Sequence, residues 1–201
     1  MNRNATRGRA TREHIVAVAT DLFAADGYEA TSIEAVMRAS GVSKGALYHH
    51  FPGKDALFEA VLGGLDARIE AALRRAAVGV GTPAGLVRAG CTAWVRLAVD
   101  PVVQQIMLID APTVLGWQRW RERDEATFLG DLRRALAAAA EQGVLDRGHV
   151  DVFAHALLAS ANETALLVAR ADDPAAALAG AQDALDELLD RVLGGPRSAE
   201  R

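Results

Sequence analysis

Cysteine occurs once in 201 residues, at Cys91. A single thiol excludes an intramolecular disulfide and any multi-cysteine metal site, agrees with a reducing compartment, and reads most simply as a small buried core residue. Long apolar runs are missing too. Hydrophobic residues make up 51% of the chain, yet no uninterrupted apolar stretch reaches about 18 residues, so no membrane span is expected. No apolar segment follows Arg3, Arg7, Arg9 and Arg12 before an amphipathic pattern begins, so no secretory leader is expected and the location is read as cytoplasmic. The five histidines, His14, His49, His50, His149 and His155, have no metalloprotease-type spacing and no matched acid cluster. His49 and His50 would point about 100° apart on a helix, which makes a poor metal pair. The expectation is therefore no catalytic centre, no metal and no cofactor.

Charge is unevenly spread. The net charge of −4 argues at first against a nucleic-acid partner. Residues 1–54 nevertheless hold seven Lys/Arg against five Asp/Glu, while residues 55–201 hold fifteen against twenty-one. The basic excess sits in an acid-free start with four arginines, which suits either a phosphate-tracking arm or a solubilising tail.

The periodicity is helical throughout, with no repeat of fixed period. Ile15, Val18, Ala19, Leu22 and Phe23 predict a first helix that stops at Asp26-Gly27. Thr31-Ser32-Ile33-Glu34 reads as a capping box opening a helix to about Ala39. Ser40-Gly41-Val42-Ser43 is a tight turn, and Ser43 caps a short helix through His50 that ends at Phe51-Pro52-Gly53. A longer helix over 54–78 follows, with Leu57, Phe58, Val61, Leu62 and Leu65 inward. Further helices are predicted over about 83–99, 101–108, 113–142, 150–170 and 174–193. The expected division is a helix-turn-helix domain with a basic arm over 1–53, a connecting helix over 54–78, a ligand-binding and dimerisation domain over 79–195, and a disordered tail over 196–201.

Residues 31–51 supply the parts of a helix-turn-helix: one helix to cross the backbone, a tight turn, and a second helix with a polar outer face for the major groove. Val42 and Leu47 should face inward. Lys44 can reach a guanine edge or a phosphate, Gly45 lets the backbone approach closely, and Tyr48 and His50 can donate to phosphates. Helix starts at Ser43 and Lys54 present free amides that attract phosphate.

The arginine-rich start, Leu22-Phe23, Gly27-Tyr28, Thr31-Ser32-Ile33, Ala39-Ser40-Gly41-Val42-Ser43, Lys44-Gly45, Leu47-Tyr48, His50-Phe51, and Lys54 with Leu57 together resemble the tetracycline-repressor-like transcriptional regulators over roughly the first 65 positions. The resemblance implies an all-α protein: a three-helix DNA-binding domain and a six-helix ligand and dimerisation domain. It implies DNA contacts from Ser32, Ser43, Lys44, Gly45, Tyr48, His49, His50 and Lys54, with Tyr48, His50 and Lys54 anchoring phosphates and Lys44, Gly45 and His49 choosing bases. Glu34 departs from a common family pattern and is read as a capping residue only. The segment from Asp110 to Glu122 is similar to one in a subset of these regulators.

Beyond that stretch only architecture transfers. A mostly apolar effector pocket would draw on Trp94, Met107, Leu108, Trp117, Phe128 and Asn162, residues that could equally be core. Two apolar stripes, Phe153, Leu157, Thr164 and Val168 on one helix and Leu178, Leu185, Leu188 and Val192 on the next, suggest a symmetric dimer and hence a palindromic operator. The expected function is a repressor released from double-stranded operator DNA by a small molecule. A DNA-binding protein of the same fold controlled by a protein partner is the alternative, and an activating role stays open.

Overall fold

A computed structural model describes residues 3–194, and the tail expected over 196–201 lies outside the described residues. Among the described residues there are ten α-helices: α1 (Arg3–Ala30), α2 (Ile33–Ser40), α3 (Lys44–His50), α4 (Lys54–Ala77), α5 (Pro83–Leu97), α6 (Ala111–Leu115), α7 (Trp117–Asp124), α8 (Gly130–Glu141), α9 (Val150–Ala169) and α10 (Pro174–Leu193). Two π-helical stretches, Val103–Asp110 and Glu125–Leu129, lead into α6 and α8. There is no strand among the described residues. The chain divides into two compact units, residues 1–67 with 101–116, and residues 68–100 with 117–201. The stretch 101–116 thus groups with the N-terminal residues, although it falls inside the segment 79–195 that reads as one domain.

In the first unit α1 packs on α2 and on the π-helical stretch Val103–Asp110. Ile15, Ala19 and Phe23 are fully buried with Leu47, Leu57, Phe58 and Leu62. Phe23, Tyr28 and Phe58 form an aromatic knot with ring centroids 4.8–5.7 Å apart, each such pair contributing about 0.5–1.5 kcal/mol beyond its buried area. Helix α1 starts at Arg3, so the basic segment is helical, with Arg7, Arg9 and Arg12 exposed.

The predicted stop at Gly27 appears as a kink, with φ 78° and ψ 166°, a conformation that excludes side chains with a Cβ. The capping box is shifted by one residue. Ser32, not Thr31, is the N-cap of α2, accepting from the Ala35 amide at 3.1 Å, while the buried Thr31 hydroxyl donates to the Gly27 carbonyl at 2.8 Å. Thr31 is recruited to the kink, so Glu34 is left one position too early to complete the box.

In the second unit α9 is the central helix, packed against α5, α8 and α10. Its position accounts for its composition. The segment Arg147–Ala169 is, by length and composition, the one described helix long and apolar enough to cross a membrane, which the search for uninterrupted runs missed. Its starts and stops are conventional: Thr82-Pro83 opens α5 and Asp173-Pro174 opens α10, each cap side chain accepting a free amide. The Gly143 amide to the Ala140 carbonyl and the Val144 amide to the Ala139 carbonyl close α8 as a Schellman motif. The helix expected over 113–142 is interrupted. Gly116, at φ 77° and ψ 154°, ends α6, and the π-helical turn Glu125–Leu129 lies between α7 and α8.

Candidate nucleic-acid interface and ligand cavity

Helices α2 and α3 are joined by Gly41-Val42-Ser43. Gly41 adopts the left-handed conformation at φ 68° and closes α2 with its amide on the Met37 carbonyl at 3.0 Å. Ser43 then caps α3, accepting from the Ala46 amide at 3.3 Å. Leu47 is fully buried and Phe51 nearly so, which fixes the roll of α3. Ser43, Lys44, Gly45, Tyr48 and His49 are consequently exposed on one side, with His50 half-buried and Ser32 exposed at the start of α2. The Lys44 ammonium lies 5.9 Å from the Tyr48 ring centroid, and the His49 and His50 rings meet edge to face at 5.2 Å. A Cβ added at Gly45 would meet nothing within 4 Å, so the backbone is open to a close partner there.

Lys54 is placed differently from the other seven expected contacts. Its ammonium sits 4.0 Å over the Tyr28 ring and donates to the Glu29 carbonyl at 3.3 Å. The lysine therefore braces the start of α4 against α1. Tyr28 is held from three sides. Its hydroxyl donates to Asp55, and its amide donates to Asp110 Oδ2 at 2.8 Å. Burial first, then the bond to Asp55 and its charge, raise the phenol above its ordinary range. Asp110 also accepts from Gln105 Nε2 at 3.0 Å; burial raises its carboxyl, and these two donors pull it partly back. The sequence separation of 82 residues between Tyr28 and Asp110 made this clamp illegible beforehand.

The second unit encloses a cavity of about 630 Å³, within the range usual for small-molecule sites. Val87, Cys91, Leu158 and Ala161 form its buried end, Leu73, Leu86 and Phe128 line its sides, and exposed Glu70, Arg74, Asp131 and Arg134 mark the opening. The rim charges pair among themselves, Arg74 with Glu70 at 3.7 Å and Arg134 with Asp131. Desolvation pushes the Cys91 thiol up to about 12, so it is a neutral wall group.

Of the six residues expected to touch a ligand, the cavity wall includes Phe128. Trp94 meets Phe128 with the rings tilted by 35° and centroids 5.5 Å apart, and Asn162 follows the wall residue Ala161 and donates to Asp124 at 2.7 Å. Met107 and Leu108 are buried in the other compact unit, and Trp117 is 66% exposed, paired with Trp120. Helical spacing could not separate Trp94, Met107, Leu108 and Phe128, because each is an apolar residue in a helical segment; Trp117 lies in the charged helix α7. The buried Asp124 was missed; nothing in its charged neighbourhood, Arg119 to Glu125, distinguishes it in sequence.

The expected dimer residues also divide. Leu157, Val168 and Leu185 are at most 2% exposed and belong to the protomer core. Phe153, Thr164, Leu178 and Val192 are partly exposed, and Leu188 is exposed. Exposed apolar and small residues share a side of α9, Val152, Ala156, Ala159 and Leu167 around the exposed Glu163, and a side of α10, Gly180, Ala184 and Leu188 beside the exposed Glu187 and Arg191.

A capped helix-turn-helix followed by an all-helical unit with a cavity defines a class, the helix-turn-helix regulatory proteins. Residues 15–61 match the family described as bacterial regulatory proteins, tetR family, and residues 85–192 match the tetracyclin repressor-like C-terminal domain. The chain belongs to the tetracycline-repressor family of transcriptional regulators, which are not enzymes. The transcriptional regulator UidR of Escherichia coli is 34% identical over 62 residues, 31% of this chain and 32% of that protein, so the match spans about a third of that relative's length. A solved TetR-family regulator from Pectobacterium atrosepticum is 29% identical with a TM-score of 0.81, covering 98% of this chain and 100% of its own. AibR, solved in complex with isovaleryl coenzyme A and operator DNA, shares the fold at 21% identity and a TM-score of 0.65, with 92% of this chain and 100% of its own covered.

Proposed function

We propose that the protein is a cytoplasmic, homodimeric repressor that leaves a palindromic operator when a small, mostly apolar molecule enters the cavity. The observation that carries this reading is the course of α4. The helix begins at Lys54, separated by three residues from the exposed reading helix, and its far end contributes Leu73, Arg74 and Ala77 to the cavity wall. An occupant that tilts those residues tilts a continuous rod. Reading heads related by two-fold symmetry must keep a fixed spacing, so a tilt of each rod lowers operator affinity. AibR, with both a small molecule and operator DNA in its complex, supports the view that this fold accommodates the two kinds of partner. A cavity of about 630 Å³ favours a small-molecule effector over control by a protein partner alone.

Ser32, Ser43, Lys44, Gly45, Tyr48, His49 and His50 form the DNA-facing set in this reading, with Lys54 bracing α4. The dimer would form through the open face of α9 and α10, because pairing buries Val152, Leu167 and Leu188, which otherwise stand in water. The test is binding to a fragment upstream of the protein's own gene against a scrambled fragment, between about 50 and 200 mM salt. A preference of about a hundredfold and a log–log salt slope of about −5 to −9 are expected, with Tyr48→Ala and His50→Ala each weakening binding. Equal binding of both fragments, or variants that bind as well as the parent, would remove this assignment of the surface.

A further inference from the structure

The cavity of the second unit separates its polar groups from its buried ones. Every charged residue that lines it, Glu70 and Arg74 on α4 and Asp131 and Arg134 on α8, is exposed. The most buried part of its wall is Val87 and Cys91 on α5 with Leu158 and Ala161 on α9, each at most 7% exposed, on two helices that pack directly together. None of these four brings a charge, and the thiol is their one polar group, a weak hydrogen-bond partner. Thr127 also lines the cavity, and its hydroxyl already donates to the Arg123 carbonyl at 2.9 Å. The remaining wall is aliphatic apart from Phe128, its single aromatic ring. A polar group carried to the buried wall would lose its water and find no partner of comparable strength, whereas the same group left at the mouth keeps both water and charged neighbours. Methyl and methylene walls give dispersion contact without the flat face on which an aromatic guest stacks.

We propose that the cavity takes an amphiphile tail first: an unsubstituted alkyl chain runs to Val87, Cys91, Leu158 and Ala161, and the polar head stays at the mouth among Glu70, Arg74, Asp131 and Arg134. The inference rests on the cavity being the effector site and gives that effector a chemical class, a single-chain aliphatic molecule with its hydrogen-bonding groups gathered at one end. Acids and bases are paired at the mouth, Arg74 with Glu70 at 3.7 Å and Arg134 with Asp131, so the mouth carries no net charge. It suits a hydroxylated, zwitterionic or singly charged head better than a polyanion, whose several charges would meet the two carboxylates.

The full-length protein is titrated calorimetrically with 1,2-decanediol and with 1,10-decanediol, isomers that differ only in whether both hydroxyls sit at one end. The 1,2-isomer is expected to bind at least about tenfold more tightly, since the 1,10-isomer must carry one hydroxyl to the buried wall or leave its chain outside. Val87→Thr and Ala161→Ser each put a hydroxyl on that wall, from α5 and from α9, and should narrow the gap between the isomers. Gly90→Leu, which fills the space, should abolish binding of both; circular dichroism confirms that each variant is folded. Equal affinities in the parent protein would overturn the tail-first reading, as would binding of neither isomer or a gap unchanged in the folded hydroxyl variants. A 1,2-isomer that binds the parent, fails to bind Gly90→Leu and leaves operator affinity unchanged would uphold the tail-first reading while counting against the cavity as the effector site.

Discussion

Gly45 and Gly27 are both glycines of the N-terminal unit, yet their surroundings predict opposite consequences for an added methyl. At Gly45 the backbone is helical and a Cβ meets nothing, so Gly45→Ala should leave stability unchanged or raise it by about 0.5–1 kcal/mol, while operator affinity falls because the methyl stands between helix and groove. At Gly27 the positive φ and a Cβ position 3.2 Å from Gln105 Nε2 predict a loss of about 1–3 kcal/mol for Gly27→Ala. Urea unfolding and operator titration on both variants separate the two roles; a stability loss at Gly45 would mean that its conservation of space serves packing rather than DNA. Cys91 supplies a pH signature. An unfolded thiol titrates near about 8.5, whereas the folded one is pushed up to about 12. Below the lower value both states keep the proton and the thiol's contribution is complete. As pH rises through that window the unfolded chain ionises first, and stability is lost. Comparing the parent with Cys91→Ala at pH about 7.5 and about 10 should show a smaller decline in the variant.

At the scale of elements, what was legible was what local chemistry determines. Ser43, Gly41 and the inward Leu47 fix α3 by capping, turn geometry and periodicity, and these are properties of adjacent residues. The same holds for Thr82-Pro83, Asp173-Pro174 and the stop at Gly143. The π-helical stretches and the break at Gly116 were not legible, since a π turn keeps the apolar spacing of an α-helix to within one residue. Nor could spacing decide which side of a two-faced helix is covered by its own chain. Helix α9 is apolar on nearly every side, so Leu157 and Val168 looked as available for a dimer as Val152 and Leu167. The structure turns that ambiguity into a contrast. If the proposed dimer forms through this face, Leu167→Glu or Leu188→Glu should give a folded monomer, whereas Leu185→Ala should cost about 2–5 kcal/mol of stability by leaving a cavity in the protomer core. Sedimentation and thermal unfolding of the three variants test this. A dimer that survives both charge substitutions would move the interface elsewhere.

For the whole molecule, the division of labour follows from where charge and space are put. The arginine-rich N-terminal segment and the exposed helix α3 belong to one compact unit, and the cavity belongs to the other. The arginine-rich segment was visible in the sequence, but the cavity was not, because it depends on small residues that happen to face one another. Gly90 is one of them: it lines the cavity, and a Cβ there would meet nothing within 4 Å. Gly90→Leu should therefore do three things at once. The helix loses a flexible residue and the cavity gains an apolar filling, together worth about 1–2 kcal/mol, so the melting temperature rises. Operator affinity without effector should stay as it was, since the reading helix is untouched. Release by any effector that acts through the cavity should fail, giving a protein that stays on its operator. Melting, operator titration and release measured on this one variant distinguish the possibilities: a stabilised protein that still lets go of DNA in response to the effector would mean that the signal enters by a route other than this cavity.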